Sequence, residues 1–257
     1  MLKQLDFIEP MNRLFLSLFV LVFPAIFPAS AQEKKAGADP ELPAHYTTKT
    51  PSRDGIGKVY MGREISHVVS VHAIRWLERK SREDEEKPSL VMKNLELKET
   101  DVIADIGAGS GYFTFMMSPL VPKGKVLAVD IEQGMLDFIQ GKAKRDGVKN
   151  VESVLGTIED TKLPEGKVDA VLMVDAYHEF SHPREMMESI VKGLRPGGRV
   201  ILLEYRGEDP SVPIKPLHKM TQKQAIAEME AVGLKHKETR DFLPRQHFMV
   251  FEKPKAE

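Results

Sequence analysis

The chain has 257 residues, 42% of them hydrophobic and 29% charged, enough to bury one substantial core and too apolar for a disordered tail. Lys and Arg number 37 against 38 Asp and Glu, a formal charge of −1, so no global field favours nucleic acid. Cysteine is absent, which excludes disulfides, thiolate metal sites and a cysteine nucleophile.

Arg13 precedes an apolar run from Leu14 to Phe27, and Pro28-Ala29-Ser30-Ala31-Gln32 follows it. A basic start, a short apolar stretch and a small-x-small sequence make an export pattern. Residues 1–31 are therefore expected to be a signal peptide cut after Ala31, leaving a periplasmic or secreted protein. The run falls short of the roughly 20 residues that cross hydrocarbon, so no stable membrane span is expected after cleavage. Residues 32–55 are rich in Ala, Pro, Lys and Glu without apolar period and are expected to be a flexible linker.

Residues 56–98 are expected to form an N-terminal helical cap. Met61, Ile65, Val68, Val69, His72 and Trp76 recur at three- and four-residue spacing, which predicts a helix from about Arg63 to Arg79. A second helix is predicted from Pro88 to Leu97, with the charge run Arg82 to Lys87 as a solvated turn between them. From residue 99 the pattern changes to short apolar runs alternating with amphipathic ones. Strands are predicted over 102–106, 125–130, 151–155, 168–174, 199–204, 235–242 and 247–251, with helices near 112–120, 134–146, 183–194 and 221–231. Strands apolar on both faces belong to a parallel sheet covered by helices on both sides. The short connection Leu243-Pro244-Arg245-Gln246 makes the last strand antiparallel to its neighbour.

Asp105-Ile106-Gly107-Ala108-Gly109-Ser110-Gly111-Tyr112 ends the first sheet strand and opens a helix, where glycines permit positive φ and close backbone approach. The dinucleotide fingerprint wants glycine at the first, third and sixth positions; here Tyr112 holds the sixth. A carboxylate at Asp105 would also repel a pyrophosphate and attract a cation. This loop, followed by Val129-Asp130-Ile131-Glu132, Asp169-Ala170-Val171-Leu172-Met173-Val174 and Leu194-Arg195-Pro196-Gly197-Gly198, resembles the ordered motif series of class I S-adenosylmethionine-dependent methyltransferases. The resemblance spans about residues 90–253. It implies an α/β, Rossmann-like seven-stranded, mostly parallel sheet with a reversed last strand, over residues 99–257, and S-adenosylmethionine as cofactor.

Carried over by residue, the resemblance implies that Gly107, Ala108, Gly109 and Gly111 pass under the methionine part of the cofactor beside Tyr112, with Asp105 near its ammonium. Asp130 would take the two ribose hydroxyls, a geometry that suits a carboxylate. Ile131 and Met135 would pack on the adenine. Gly156 to Asp160 matches the segment facing the adenine, with Ile158 there and Thr157 standing where an acid is common. Asp175, after the fourth strand, would face the cofactor amine.

Tyr177, His178 and Glu179 form the polar cluster nearest the reacting centre under this resemblance. If the methyl acceptor is a hydroxyl, a base is required, and His178 is first choice on its ordinary pKa, with Glu179 second. Tyr205, Arg206, His218 and Arg63 are candidate contacts to a small-molecule acceptor, with 210–220 as a proline-stiffened lid. His178-Glu179-Phe180-Ser181-His182 also matches a zinc-hydrolase motif, which needs both histidines on one helix face. Pro183 marks the helix start only after them and no third ligand is evident, so no metal is expected. The expected activity is methyl transfer to a small acceptor; the alternatives are an exported ligand-binding protein without catalysis and a metal-dependent hydrolase.

Overall fold

The structure is a computed structural model that describes residues 45–69 and 71–255. The expected signal peptide and residues 32–44 of the expected linker lie outside the described residues. Ten strands and seven α-helices are described. A small antiparallel sheet holds β1 (Tyr46–Thr48), β2 (Gly55–Tyr60) and β3 (Arg63–Ser66) in that order. Three short helices follow, α1 (Ile74–Leu77), α2 (Arg82–Glu86) and α3 (Pro88–Asn94). The remainder alternates: β4 (Val102–Ile106), α4 (Tyr112–Met117), β5 (Lys125–Asp130), α5 (Gln133–Asp146), β6 (Val151–Leu155), β7 (Val168–Val174), α6 (Pro183–Gly193), β8 (Leu194–Tyr205), α7 (Gln222–Glu230), β9 (Lys235–Arg240) and β10 (Gln246–Glu252).

The larger sheet has seven strands in the order β6-β5-β4-β7-β8-β10-β9. Its first five members run parallel, and β10 inserts antiparallel between β8 and β9. This is the Rossmann-like arrangement the motif series implies. Period-two alternation divides the sheet into two packed faces. Ala104, Ile106, Val171, Met173, Val200 and Leu202 face Met186, Met187 and Ile190 of α6; Ile103, Val126, Leu172, Ile201 and Phe248 face Val91, Phe113 and Met117 on the other side. Helix α6 starts on Pro183 at its first position, α5 stops at Gly147 in the left-handed region, and the Thr221 hydroxyl caps α7 by accepting from the Gln224 N–H at 3.1 Å.

The expected helical cap is corrected in part: its second helix is present as α3, whereas Arg63 to Arg79 is not one helix. Residues 55–66 form a β-hairpin, because Met61 (φ 47°) and Gly62 (φ 87°) both take positive φ, the primed turn that joins two-residue hairpins. Together with β1 it buries Tyr46, Tyr60 and Ile65 against one another. The stripe read as helical does not form one face: Ile65 is fully buried, whereas Val68, Val69 and Trp76 are exposed. The expected linker is also shortened, since Tyr46–Thr48 pairs with β2. Nor is Arg82 to Lys87 a solvated turn. It is helix α2, with Arg82 and Glu86 buried and ion-paired at 2.7 Å. Among the described residues no helix is long and apolar enough to cross a membrane.

Candidate functional site

The strand order reverses between β4 and β7, since β4 leads out to β5 on one side and β7 to β8 on the other. Loops leaving the carboxyl ends of such strands part there and open a crevice, the usual ligand position in open α/β sheets. A cavity of about 420 Å³ fills that crevice, within the size range of small-molecule sites.

The glycine loop forms its floor. Gly107 and Gly109 line it at φ 70° and 55°, and a Cβ at Gly107 would stand 2.7 Å from the Ala176 Cβ. Only glycine fits there without moving backbone. Gly111, also left-handed, begins α4 and sits under Ile139 and Phe115, so the glycine in the fifth position serves packing.

Asp130 ends β5 beside this loop. Its Oδ2 accepts the Gly109 N–H and its Oδ1 the Glu132 N–H, both at 2.9 Å. Burial raises its pKa and these two backbone donors oppose the rise. The carboxylate is thus fixed against the loop with lone pairs left over. Ile131 and Ile158, both exposed, and buried Met135 supply apolar wall beside it.

Asp175 leaves β7 in the left-handed region, φ 50°. Its Oδ2 accepts from Gln246 Nε2 at 2.7 Å, while its Oδ1 is buried without a partner. Desolvation, with Glu86 and Glu204 nearby, pushes its pKa well above the usual carboxylate range. A buried, unpaired acceptor lining a cavity is a site for a donor, most strongly a cationic one.

The far end of the cavity is polar. His178 and Glu179 lie in the 3₁₀ turn Tyr177–Glu179, and His218 arrives from the turn Pro216–His218. Glu204 Oε2 accepts from His178 Nδ1 at 2.6 Å, and Glu204 Oε1 accepts the His178 N–H at 3.2 Å. Arg63 and Ser66 of β3 donate to the His178 carbonyl at 3.1 and 3.3 Å. Strands β3 and β8 therefore hold one histidine with its Nε2 toward the cavity.

Tyr205 lines the cavity too, but its hydroxyl is spent on Glu86 at 2.8 Å. Other expected residues lie outside the lining. Asp105 is buried beneath the loop, accepting from the Thr114 hydroxyl at 2.6 Å, and burial raises its pKa to about 6. Ala108 and Tyr112 are turned away, the Tyr112 ring under the Arg82 guanidinium. The Thr157 hydroxyl accepts the Asp160 N–H at 3.0 Å and closes its own turn. Tyr177 is fully buried and donates to Glu228 at 2.7 Å; being the neighbour of His178 on a tight turn, it points to the opposite side. Arg63 makes a two-pronged ion pair with Glu228 at 2.8 and 2.9 Å and serves the wall behind His178. Arg206 is held by Asp241 and the Leu243 carbonyl. His182 lies at the start of α6, 3.6 Å from Glu159, away from the polar cluster.

The sequence suggests that the segment carrying Trp76 covers the site, as it does, but gives no individual site role to Val68, Val69 and Leu77, the last of which meets the Gly109 turn, or to Glu204 and Arg82. Only Glu204 left a local signal, an acid closing the apolar run Val200 to Leu203.

Known proteins resemble the chain in part of its sequence and in its fold. Residues 103–198 match the family described as a methyltransferase domain. The chain is 31% identical over 122 residues to the uncharacterized methyltransferase YcgJ of Bacillus subtilis, a match covering 47% of each. It is 32% identical over 105 residues to the ubiquinone/menaquinone biosynthesis C-methyltransferase UbiE of Pseudomonas fluorescens, covering 40% of this chain and 41% of that one. The chain thus spans less than half the length of these curated relatives. A SAM-dependent methyltransferase from Aquifex aeolicus superposes with a TM-score of 0.68 at 24% identity, over 72% of this chain and all of the other. The [4+2]-cyclase SpnF superposes at 0.59 with 14% identity, over 66% of this chain and 81% of the other. Such likenesses show the fold, and the cyclase shows that the fold alone leaves the reaction open. The described chain has the Rossmann-like fold of these proteins, and its residues 103–198 match a methyltransferase-domain family.

Proposed function

We propose that the protein transfers a methyl group from S-adenosylmethionine to a small-molecule acceptor. The observation that carries the reading is Asp130, its carboxylate fixed by the Gly109 and Glu132 N–H groups at the edge of the cavity. Two hydroxyls on adjacent ribose carbons match its remaining lone pairs. The unpaired Asp175 Oδ1 fits an ammonium, and the Ile131, Met135 and Ile158 wall fits an adenine. The electrostatics support a cationic sulfur over a phosphate carrier. Asp130, Asp175 and Glu179 line the cavity against Arg82 and Lys215, which are already paired with Glu86 and Asp54.

When bound, S-adenosylmethionine supplies an activated methyl carbon: the acceptor's lone pair forms the new bond as the carbon–sulfur bond breaks, a neutral thioether leaves, and the acceptor's proton is lost to solvent. The chain's contribution is alignment. Asp130 and Asp175 hold the two ends of the donor, and the acceptor approaches from the end formed by His178, Glu179 and His218. The apolar rim of Val68, Val69 and Trp76 excludes water over that end and suits an acceptor with a lipophilic body. The pattern of residues 13–32 supports export, which a size shift of a C-terminally tagged chain would reveal.

Calorimetric titration with S-adenosylmethionine tests the reading. Saturable one-site binding is expected, weakened at least about 100-fold in Asp130→Ala because two hydrogen bonds to a charged group are worth about 1.5–3 kcal/mol each. No saturable binding, or an indifferent Asp130→Ala, rejects it.

A further inference from the structure

The polar end of the cavity holds three groups whose free electron pairs converge. His178 Nε2 and His218 Nδ1 are 3.1 Å apart, and Glu179 Oε1 lies 3.7 Å from the first and 3.6 Å from the second. Because Glu204 accepts the His178 Nδ1–H, neutral His178 offers only a lone pair at Nε2. Glu179 is oriented likewise, its Oε2 accepting the Val69 N–H at 2.9 Å and its Oε1 turned to the two imidazoles. For the imidazoles to hydrogen-bond each other, one must carry a proton between them; a cation lets both keep their lone pairs.

The distances select that cation. A triangle with these three edges fits a circle of about 2 Å radius, so an ion near its centre sits at the 2.0–2.2 Å that zinc takes from imidazole nitrogen and carboxylate oxygen. The outer partners have the form such sites need, a carboxylate on the far nitrogen of a ligating histidine. One side of the triangle faces the cavity, leaving positions open.

We propose that His178, Glu179 and His218 bind one divalent transition-metal cation, whose open positions take an oxygen of the methyl acceptor. Two imidazoles and one carboxylate suit zinc, iron(II) and their neighbours in the first row. The assignment makes His178 Nε2 a ligand rather than a proton acceptor. It also names the acceptor class, a hydroxyl-bearing molecule such as a phenol, because a cation facing a hydroxyl lowers its pKa toward neutrality. His182 has no part in it. The acceptor clause rests on the methyl-transfer reading; the cation site does not.

Zinc chloride titrated into the metal-free full-length protein, followed by calorimetry, and cobalt(II) followed by visible absorption are the tests. One equivalent of zinc is expected to bind, and cobalt to give the absorption of a low-coordinate nitrogen–oxygen site. His218→Ala, on a surface turn, is expected to lose more affinity than the roughly 10–100-fold that follows loss of an outer partner, and Glu204→Gln to fall within that range. His182→Ala should bind as the parent does. Absence of stoichiometric zinc, or zinc held equally by His218→Ala, overturns the site; zinc lost in His182→Ala reassigns it to the sequence motif and overturns it as well. Zinc binding without S-adenosylmethionine binding rejects the methyl-transfer reading and leaves the cation site standing.

Discussion

Asp175→Asn separates ligand binding from folding. The carboxylate has one hydrogen-bond donor in the described structure, Gln246 Nε2 at 2.7 Å, and its second oxygen is buried and unpaired. Glu86 and Glu204 lie close enough to raise its pKa further, with Arg82 only partly offsetting them. Burial at this place disfavours the ionised form of the group, the usual cost of a binding site prepared in advance. Asparagine keeps the shape, tolerates the left-handed φ of 50° and can still accept from Gln246. Because asparagine cannot ionise, the variant escapes the penalty that desolvation, Glu86 and Glu204 place on the carboxylate, and the ligand-free protein should gain about 1–2 kcal/mol, the scale of desolvating one polar group. For a domain of this size that raises Tm by roughly 2–8 °C. The donor's ammonium then loses a charge-assisted bond worth about 1.5–3 kcal/mol, which is a loss of about 10- to 150-fold in S-adenosylmethionine affinity. Differential scanning fluorimetry and calorimetry on the same preparations read both quantities. A variant that melts lower than the parent, or binds as tightly, would refute the placement of Asp175 opposite the ammonium.

Other outcomes follow from the same network. Asp105 has a folded pKa of about 6, above its unfolded value near 3.8, because burial disfavours its charge. The folded state therefore holds a proton the unfolded state has released between those values, and stability falls as pH rises through that window. Asp105→Asn, which can still accept from Thr114, should match the parent near pH 4 and exceed it above pH 7 by up to about 3 kcal/mol in urea unfolding; parallel pH curves would count against it. Glu228→Ala leaves the Arg63 guanidinium buried without its two-pronged partner and Tyr177 without its acceptor. A loss of about 3–5 kcal/mol is expected in chemical denaturation, with a smaller loss showing that Arg63 finds another partner.

The parts of this protein that were legible in the sequence are those settled within a few residues. The near-continuous apolar runs Val102–Ile106 and Val168–Val174 mark strands buried on both faces, because successive side chains of a pleated strand point to opposite sides and both sides are apolar here. The glycines at 107 and 109 and the acid at 130 announce a tight loop at a strand end, which the structure places along the cavity, for the same local reason. The N-terminal hairpin misled because Met61, Ile65 and Trp76 satisfy a helical period that says nothing of the positive φ at Met61 and Gly62. Side-chain destinations were decided by packing. Tyr177 and His178 are neighbours, yet the turn sends one into the core toward Glu228 and the other into the cavity. Arg63, separated from Glu228 by 165 positions, and His178, separated from His218 by 40, meet only because β3 and the Pro216 turn close over the end of β7. Such meetings depend on which elements the core brings together, a property of the whole chain's burial that no local spacing encodes.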